Sequence, residues 1–326
     1  MKRNKKWEEW LWDAWCVISV IGIWPRFIEP HFLQASKVTI PITHLPSAFE
    51  NFTILQLSDL HWDFNFPSFL LKQLKARIQQ LKPDLIVFTG DLLCRAKIEN
   101  MEALKNFLVI LKAPAGCYAI LGNHDYDRFV SVNAEGDFDV LKSENEAYIT
   151  TGFKRLFNST PLTNRFTLEA SQLHLHSELL DLWRMTSFKL LNNETIQINH
   201  QGSQINLCGL EDYLSGRFDP VEAFKNYKMD LPGVILSHNP DSAGVLQDYP
   251  GDLMLCGHTH GGEINLPFLW KRFCHMEIPV LKRGLKWFGN KWIYTNRGIN
   301  SIMKFRWFAL PELTILTLKK KHEHSV

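Results

Sequence analysis

Residues 53–61, Thr53-Ile54-Leu55-Gln56-Leu57-Ser58-Asp59-Leu60-His61, run from a short apolar segment straight into an acid and an imidazole. A short run with few polar side chains reads as a buried strand. Here it ends on donors suited to a hard or borderline metal ion. The pattern recurs. Asp84-Leu85-Ile86-Val87-Phe88 leads to Gly90-Asp91, and Cys117-Tyr118-Ala119-Ile120-Leu121 leads to Gly122-Asn123-His124-Asp125. Gly233-Val234-Ile235-Leu236-Ser237 runs into His238, and Asp252-Leu253-Met254-Leu255-Cys256 into Gly257-His258-Thr259-His260. Strands that all end in metal-type residues place those side chains along one edge of a sheet, where open α/β folds keep their sites. Helical patterns at 68–81, 101–111 and 240–247 alternate with the strands, and 292–294 and 313–318 would complete a sheet.

A histidine beside an apolar strand is most often a capping or core residue. Of the thirteen histidines, His31, His44, His174, His176, His200, His275, His322 and His324 get that reading, although His174-Leu175-His176 has a spacing that could hold a metal. The other five, His61, His124, His238, His258 and His260, stand beside Asp, Asn and Gly at successive strand ends. Carboxylate, amide and imidazole suit manganese, magnesium, iron or zinc rather than a thiolate-seeking metal. Two such ions can hold a hydroxide and neutralise phosphoryl oxygens during in-line displacement.

The ordered set Asp-Leu-His, Gly-Asp, Gly-Asn-His-Asp, Ser-His and Gly-His-Thr-His-Gly-Gly resembles the calcineurin-like metallophosphoesterases over residues 53 to 262, and further to Arg297-Gly298. The resemblance implies a four-layer α/β/β/α sandwich and a site for two divalent ions, manganese foremost. Carried over by position, one ion would take Asp59, His61, Asp91 and His260. The other would take Asp91, Asn123, His238 and His258, with Asp91 as the bridge. His124 lies outside both sets, and the resemblance implies that it acts on the leaving-group oxygen. Asp125 can simply cap a turn and stays outside the catalytic set. One departure stands out: many relatives continue the second motif as Gly-Asp-x-x-Asp, whereas Gly90-Asp91-Leu92-Leu93-Cys94 ends in cysteine. If that acid orients the catalytic histidine, another group must do so here.

The 326 residues suffice for one large α/β domain, expected over 50–320. A net charge of +2 gives no sign of a nucleic-acid partner, and nothing specifies an oligomer. Six cysteines without C-x-x-C spacing read as reduced, mostly buried thiols of a cytosolic environment.

Residues 1–30 read as a separate membrane-interface segment. Met1-Lys2-Arg3-Asn4-Lys5-Lys6 leads into Trp7, Trp10, Trp12, Trp15 and Trp24 before Pro25-Arg26. Only eleven residues, Ala14 to Trp24, are uncharged, against the roughly 20 that a spanning helix needs. Tryptophans with a basic flank suit the headgroup boundary. A helix packed on the domain and a signal peptide are the competing readings. Between Phe268 and Trp292 six Lys or Arg and six aromatics accompany a single acid, Glu277, a mixture able to dock an anionic membrane or a phosphate-bearing amphiphile. The insertion at about 126–188 is too long for a simple connection, carries a partly amphipathic pattern from Leu173 to Trp183, and could serve as a lid, an acyl groove or a packed helix.

The anchor and insertion look like those of family members that hydrolyse a lipid-linked nucleotide, peripheral or monotopic on the cytoplasmic face of a bacterial inner membrane. A membrane-associated phosphodiesterase or phosphatase of other substrate is the alternative, and a non-catalytic scaffold of the same fold is a third.

Overall fold

A computed structural model describes residues 5–128, 130–133, 135–140, 162–163, 165–265, 270 and 276–321. Helix α1 (Lys5–Ile18) comes first. Among the described residues the strands are, in chain order, β1 (Gln34–Ile42), β2 (Thr53–Leu57), β3 (Leu85–Thr89), β4 (Cys117–Ile120), β5 (Val130–Val132), β6 (Phe138–Val140), β7 (Phe188–Leu190), β8 (Glu194–His200), β9 (Ser203–Gly209), β10 (Gly233–Leu236), β11 (Leu253–Cys256), β12 (Gly284–Phe288), β13 (Lys291–Thr295) and β14 (Glu312–Lys320). They form two sheets, ordered β1-β14-β2-β3-β4-β7 and β12-β13-β11-β10-β9-β8, with β5 and β6 as a separate pair. The strands that carry the motifs are parallel: β2, β3 and β4 in the first sheet, β10 and β11 in the second. Their carboxyl ends therefore share an edge.

Continuous apolar runs form these strands because both faces are covered. Ile54, Leu85, Val87 and Ile120 face Leu207, Val234, Leu236 and Leu255 of the second sheet in one buried cluster. The alternate residues Leu55, Leu57, Ile86 and Phe88 pack outward. Against them lie Leu70, Leu74 and Ile78 of α2 (Ser68–Leu81), Leu104, Phe107 and Leu108 of α3 (Met101–Val109), and Leu179, Leu182 and Trp183 of α4 (Ser177–Arg184). On the other side Cys208, Ile235, Met254 and Ile293 meet Ala223, Ala243 and Leu246 from short helical segments. The result is the expected order of helix, sheet, sheet and helix. Residues 240–248 form a tight 3₁₀ run rather than an α-helix, led by Pro240 with the Asn239 Oδ1 accepting the Asp241 N–H at 2.9 Å. The first sheet also starts upstream of residue 50, because β1 adds an edge strand parallel to β14.

The amino-terminal segment is longer than its uncharged core. Helix α1 continues into wider π-type turns over Ser19–Ile28, and Pro25, which lacks an N–H, lies within them rather than ending the helix. Trp10–His31 thus makes 22 residues long and apolar enough to cross a membrane, which the count to Trp24 had excluded. The same length and composition also fit a signal sequence. Its far end is fastened to the fold: buried Glu29 accepts the Trp24 indole N–H at 2.8 Å and the Ala309 N–H at 2.6 Å, and Arg306 N–H donates to Pro25 O at 2.8 Å. Trp10, Trp12, Trp15, Val17, Ile18, Val20 and Ile21 remain exposed. Residues Met1 to Asn4 lie outside the described set.

Two other expectations divide. In the aromatic and basic stretch, 268–269 and 271–275 lie outside the described residues. Lys291 is buried, donating to Leu246 O at 2.9 Å and Tyr249 O at 3.1 Å, so it serves the sheet and not a surface. Trp287 is exposed, and the Lys282 ammonium stands 3.4 Å from the Trp270 ring centre. Of the insertion, 141–161 lie outside the described residues, while Phe138, Val140, Leu179 and Trp183 join the buried cluster beside the first sheet.

Leu207 is fully buried between the two sheets. Leu207→Ala should cost about 2–5 kcal/mol, read as a lowered urea midpoint, whereas Met229→Ala on the exposed surface should stay within about 0.5 kcal/mol.

Candidate metal centre

The seven predicted ligands converge at the shared strand edge. Three overlapping groups, Asp59/His61/His260, His61/Asp91/His124 and Asp91/His238/His258, each have ligand atoms within 4.8 Å of one another. Asp59 and His61 follow β2, Asp91 follows β3, Asn123 and His124 follow β4, His238 follows β10, and His258 and His260 follow β11. Asp91 Oδ2 joins the halves, 3.6 Å from His61 Nε2 and 3.1 Å from His238 Nε2. His260 Nε2 lies 3.7 Å from Asp59 Oδ1 and 3.1 Å from His61 Nε2. Asn123 Oδ1 lies 3.0 Å from His258 Nδ1.

The outer bonds fix which atoms face inward. His238 Nδ1–H donates to Thr89 O at 2.7 Å and His61 Nδ1–H to Leu93 O at 3.3 Å, so both Nε2 atoms face the cluster. The Asn123 amide donates to Val130 O at 2.7 Å, which turns its oxygen inward. His238 Nε2 is buried and faces Asp91 Oδ2 at 3.1 Å. Two acceptors held together need a cation between them, either a proton or a metal. The donor set therefore fits divalent ions, with carboxylate, amide and imidazole in the mixture such ions accept.

Backbone geometry marks the same residues. Asp59, His61, Asp91, His258 and His260 have φ between 41° and 68°, in the left-handed region that side chains with a Cβ disfavour. Five strained positions at the ligands indicate that the fold holds these turns against local preference. Close approach explains two glycines: a Cβ on Gly122 would sit 2.2 Å from Asp91 Oδ1, and one on Gly257 would sit 1.9 Å from Ser58 Oγ.

Burial sets the proton balance. It pushes Asp59 up to about 7 and lowers His61 and His258 to about 3. Burial alone would lower His238, but the charges of Asp91, Asp59 and Asp212 outweigh it and raise this residue to about 10. Burial opposes the charge on Asp91 as well, and His238 and His124 together overcome it, keeping Asp91 well below the usual carboxylate range.

His124 packs edge-on to His61, with ring centres 4.9 Å apart. Its backbone N–H donates to Asp91 Oδ1 at 3.0 Å, and its Nδ1–H donates to Cys94 O at 3.2 Å. The residue replacing the expected acid thus orients the imidazole with its carbonyl. Its buried thiol, raised to about 12, stays protonated. Asp125 is a clamp: its carboxylate accepts the N–H groups of Leu92, Leu93 and Gly122 at 3.2, 3.0 and 3.0 Å, tying the second motif to the third. His176 caps α4 through Leu179 N–H and reaches Ala96 O, so the His174-Leu175-His176 spacing holds no metal group among the described residues. Sequence reading missed Asn300, which donates to His61 O at 3.3 Å, and Arg306, whose Nη2 lies 3.3 Å from His260 Nδ1. Both come from a loop without regular periodicity, so spacing carried no signal for them.

The family described as Calcineurin-like phosphoesterase matches residues 52–262. The chain belongs to the calcineurin-like metallophosphoesterases. These are metal-dependent hydrolases of phosphoric esters. The chain is 37% identical over 308 residues to a UDP-2,3-diacylglucosamine pyrophosphatase, LpxG, of Chlamydia muridarum, covering 90% of this chain and 92% of that protein. It is 36% identical to the LpxG of Chlamydia trachomatis with the same coverage. The phosphodiesterase YaeI of Escherichia coli is 31% identical, covering 82% of both chains.

In this metallophosphoesterase, metal must displace a proton from Asp59 below about pH 7 and one from His238 below about pH 10. Apparent affinity should therefore rise with pH, with about two protons released below neutrality and about one above it. Calorimetric titration with Mn²⁺ in buffers of different ionisation enthalpy measures this release, and a buffer-independent heat would contradict it.

Proposed function

We propose that this chain hydrolyses the diphosphate of UDP-2,3-diacylglucosamine to UMP and 2,3-diacylglucosamine 1-phosphate, a step of lipid A synthesis, at the cytoplasmic face of the inner membrane. The observation that carries this reading is the match to the two LpxG proteins along 90% of the chain. The exposed apolar helix at the amino terminus supports a lipid-linked nucleotide as substrate.

On this reading one ion is held by Asp59, His61, Asp91 and His260, and the other by Asp91, Asn123, His238 and His258. Two divalent ions, manganese foremost, would polarise the phosphoryl group and supply the attacking hydroxide. The chain's own residues do the rest. Asp91 spans the halves through Oδ2, and Asn123 is held oxygen-inward by Val130 O. Burial lowers the pKa of His124, and its Nδ1–H is engaged with Cys94 O. On this reading Nε2 would handle the proton at the leaving-group oxygen. His124→Ala should retain its metal content by elemental analysis and lose about two orders of magnitude in turnover; near-wild-type turnover would remove His124 from the chemistry.

The E. coli relative, a phosphodiesterase by name, favours a second reading, a membrane-associated phosphodiesterase or phosphatase of other substrate. Turnover of UDP-2,3-diacylglucosamine beside its deacylated analogue, in detergent with and without manganese, separates the two. The acylated compound should be preferred by about tenfold or more, since binding energy from remote substrate groups is expressed in catalysis. Equal rates would overturn the lipid assignment and leave the hydrolase standing.

A further inference from the structure

Outside the metal centre and the amino-terminal tryptophans, five of the exposed aromatics lie near one another along one chain of contacts. Phe27, Phe32, Phe64, Phe69 and Phe308 are 64%, 56%, 77%, 58% and 57% exposed. A chain of contacts links all five to the end of the apolar helix and to the metal ligands. Phe64 follows Asp63, two residues beyond His61, and Asp63 pairs with the Lys304 ammonium at 3.1 Å. Lys304 O in turn accepts the Arg26 guanidinium at 2.8 Å, next to Phe27. Arg306 bonds Pro25 O through its backbone and reaches His260 through its side chain, two residues before Phe308. Gln73, one turn beyond Phe69 on α2, donates to His31 O at 3.4 Å, beside Phe32.

Phe308 also holds φ at 57° and Lys304 at 50°. A bulky side chain rarely adopts this conformation, and burial of the ring would be the ordinary compensation. Here Phe308 stays more than half exposed, with one neighbouring ring, Trp307, stacked 6.2 Å from it. The loop is nevertheless fastened on both sides, with Phe308 O accepting Arg283 at 2.9 Å and Asn265 at 3.4 Å.

We propose that this aromatic rim, centred on Phe64, Phe69 and Phe308, is a second membrane-contact surface that sets the mouth of the metal centre against the lipid headgroups. The proposal rests on the membrane reading of the amino-terminal helix and goes beyond it, because a helix alone tethers the domain without orienting it. The occupant is a bilayer surface because the rim is continuous with the exposed face of a 22-residue apolar helix. Rings with Arg26 and Lys304 among them match the headgroup boundary, where aromatics and cations collect. A substrate held by acyl chains would then meet the metal ligands with its chains still in lipid.

The test uses the full chain with Cys16→Ser and Cys274→Ser, carrying the fluorophore NBD on Phe64→Cys, Phe308→Cys or, as control, Met229→Cys. Met229 is 77% exposed near the start of β10, whose opposite end leads to His238. With vesicles of phosphatidylethanolamine and phosphatidylglycerol, positions 64 and 308 should shift to the blue and be quenched by lipids carrying a doxyl group near the headgroup, while position 229 should not. If the protein sediments with vesicles and 64 and 308 behave like 229, the rim proposal falls and the membrane reading stands. If it does not sediment, both fall. A shift at 64 and 308 that depends on protein concentration without vesicles would assign the rim to a protein contact and overturn the proposal. The double variant Phe64→Ser, Phe308→Ser should raise KM for vesicle-borne substrate and leave hydrolysis of bis(p-nitrophenyl) phosphate unchanged; an unchanged KM would count equally against it.

Discussion

One carboxylate oxygen, Asp91 Oδ2, stands within 3.6 Å of His61 and 3.1 Å of His238, and most of the site is arranged around that contact. His61 follows a strand of the first sheet and His238 a strand of the second. Neither sheet could assemble the cluster alone. The apolar cluster between the sheets, with Val87 and Leu236 near their carboxyl ends, presses the two strand edges together. Hydrophobic burial thus brings ligands from distant parts of the chain to one place. Acceptor atoms left facing each other there require a cation.

Holding that arrangement works against local preference. Left-handed φ at five ligand residues and glycines in forced close approach at 122 and 257 would each disfavour the turns in isolation. Compensation comes from hydrogen bonds on the far side of each ligand. Thr89 O, Leu93 O and Cys94 O each accept an imidazole N–H, and the Asp125 carboxylate gathers three backbone N–H groups. Orientation in this centre is largely a backbone matter. This is why His124 keeps its orientation with a cysteine at position 94.

The helix at the amino terminus is joined to the domain near the same site. Glu29, buried with both oxygens engaged, and Arg306, buried between Pro25 and His260, put the helix exit and a metal ligand on one loop. A segment that reads as a separate anchor is therefore packed at its far end and mostly exposed from Trp10 to Trp24.

Much of this was legible in the chain itself. Apolar runs ending in Asp, Asn and His located β2, β3, β4, β10 and β11, because a strand buried on both faces needs nearly every residue apolar. The candidate ligands followed from chemistry and order along the chain, and the fold brings them to one edge. Strands β1, β8 and β12 escaped because edge strands carry mixed residues, and the span past Trp24 escaped because Pro25 looked like a stop. Donor types and their order are local properties, so the amino-acid sequence by itself determined the family and the metal chemistry. Which carbonyl orients His124, how Arg306 reaches His260 and where the exposed rings gather depend on residues far apart in the chain meeting across two sheets, and only the tertiary structure decided them.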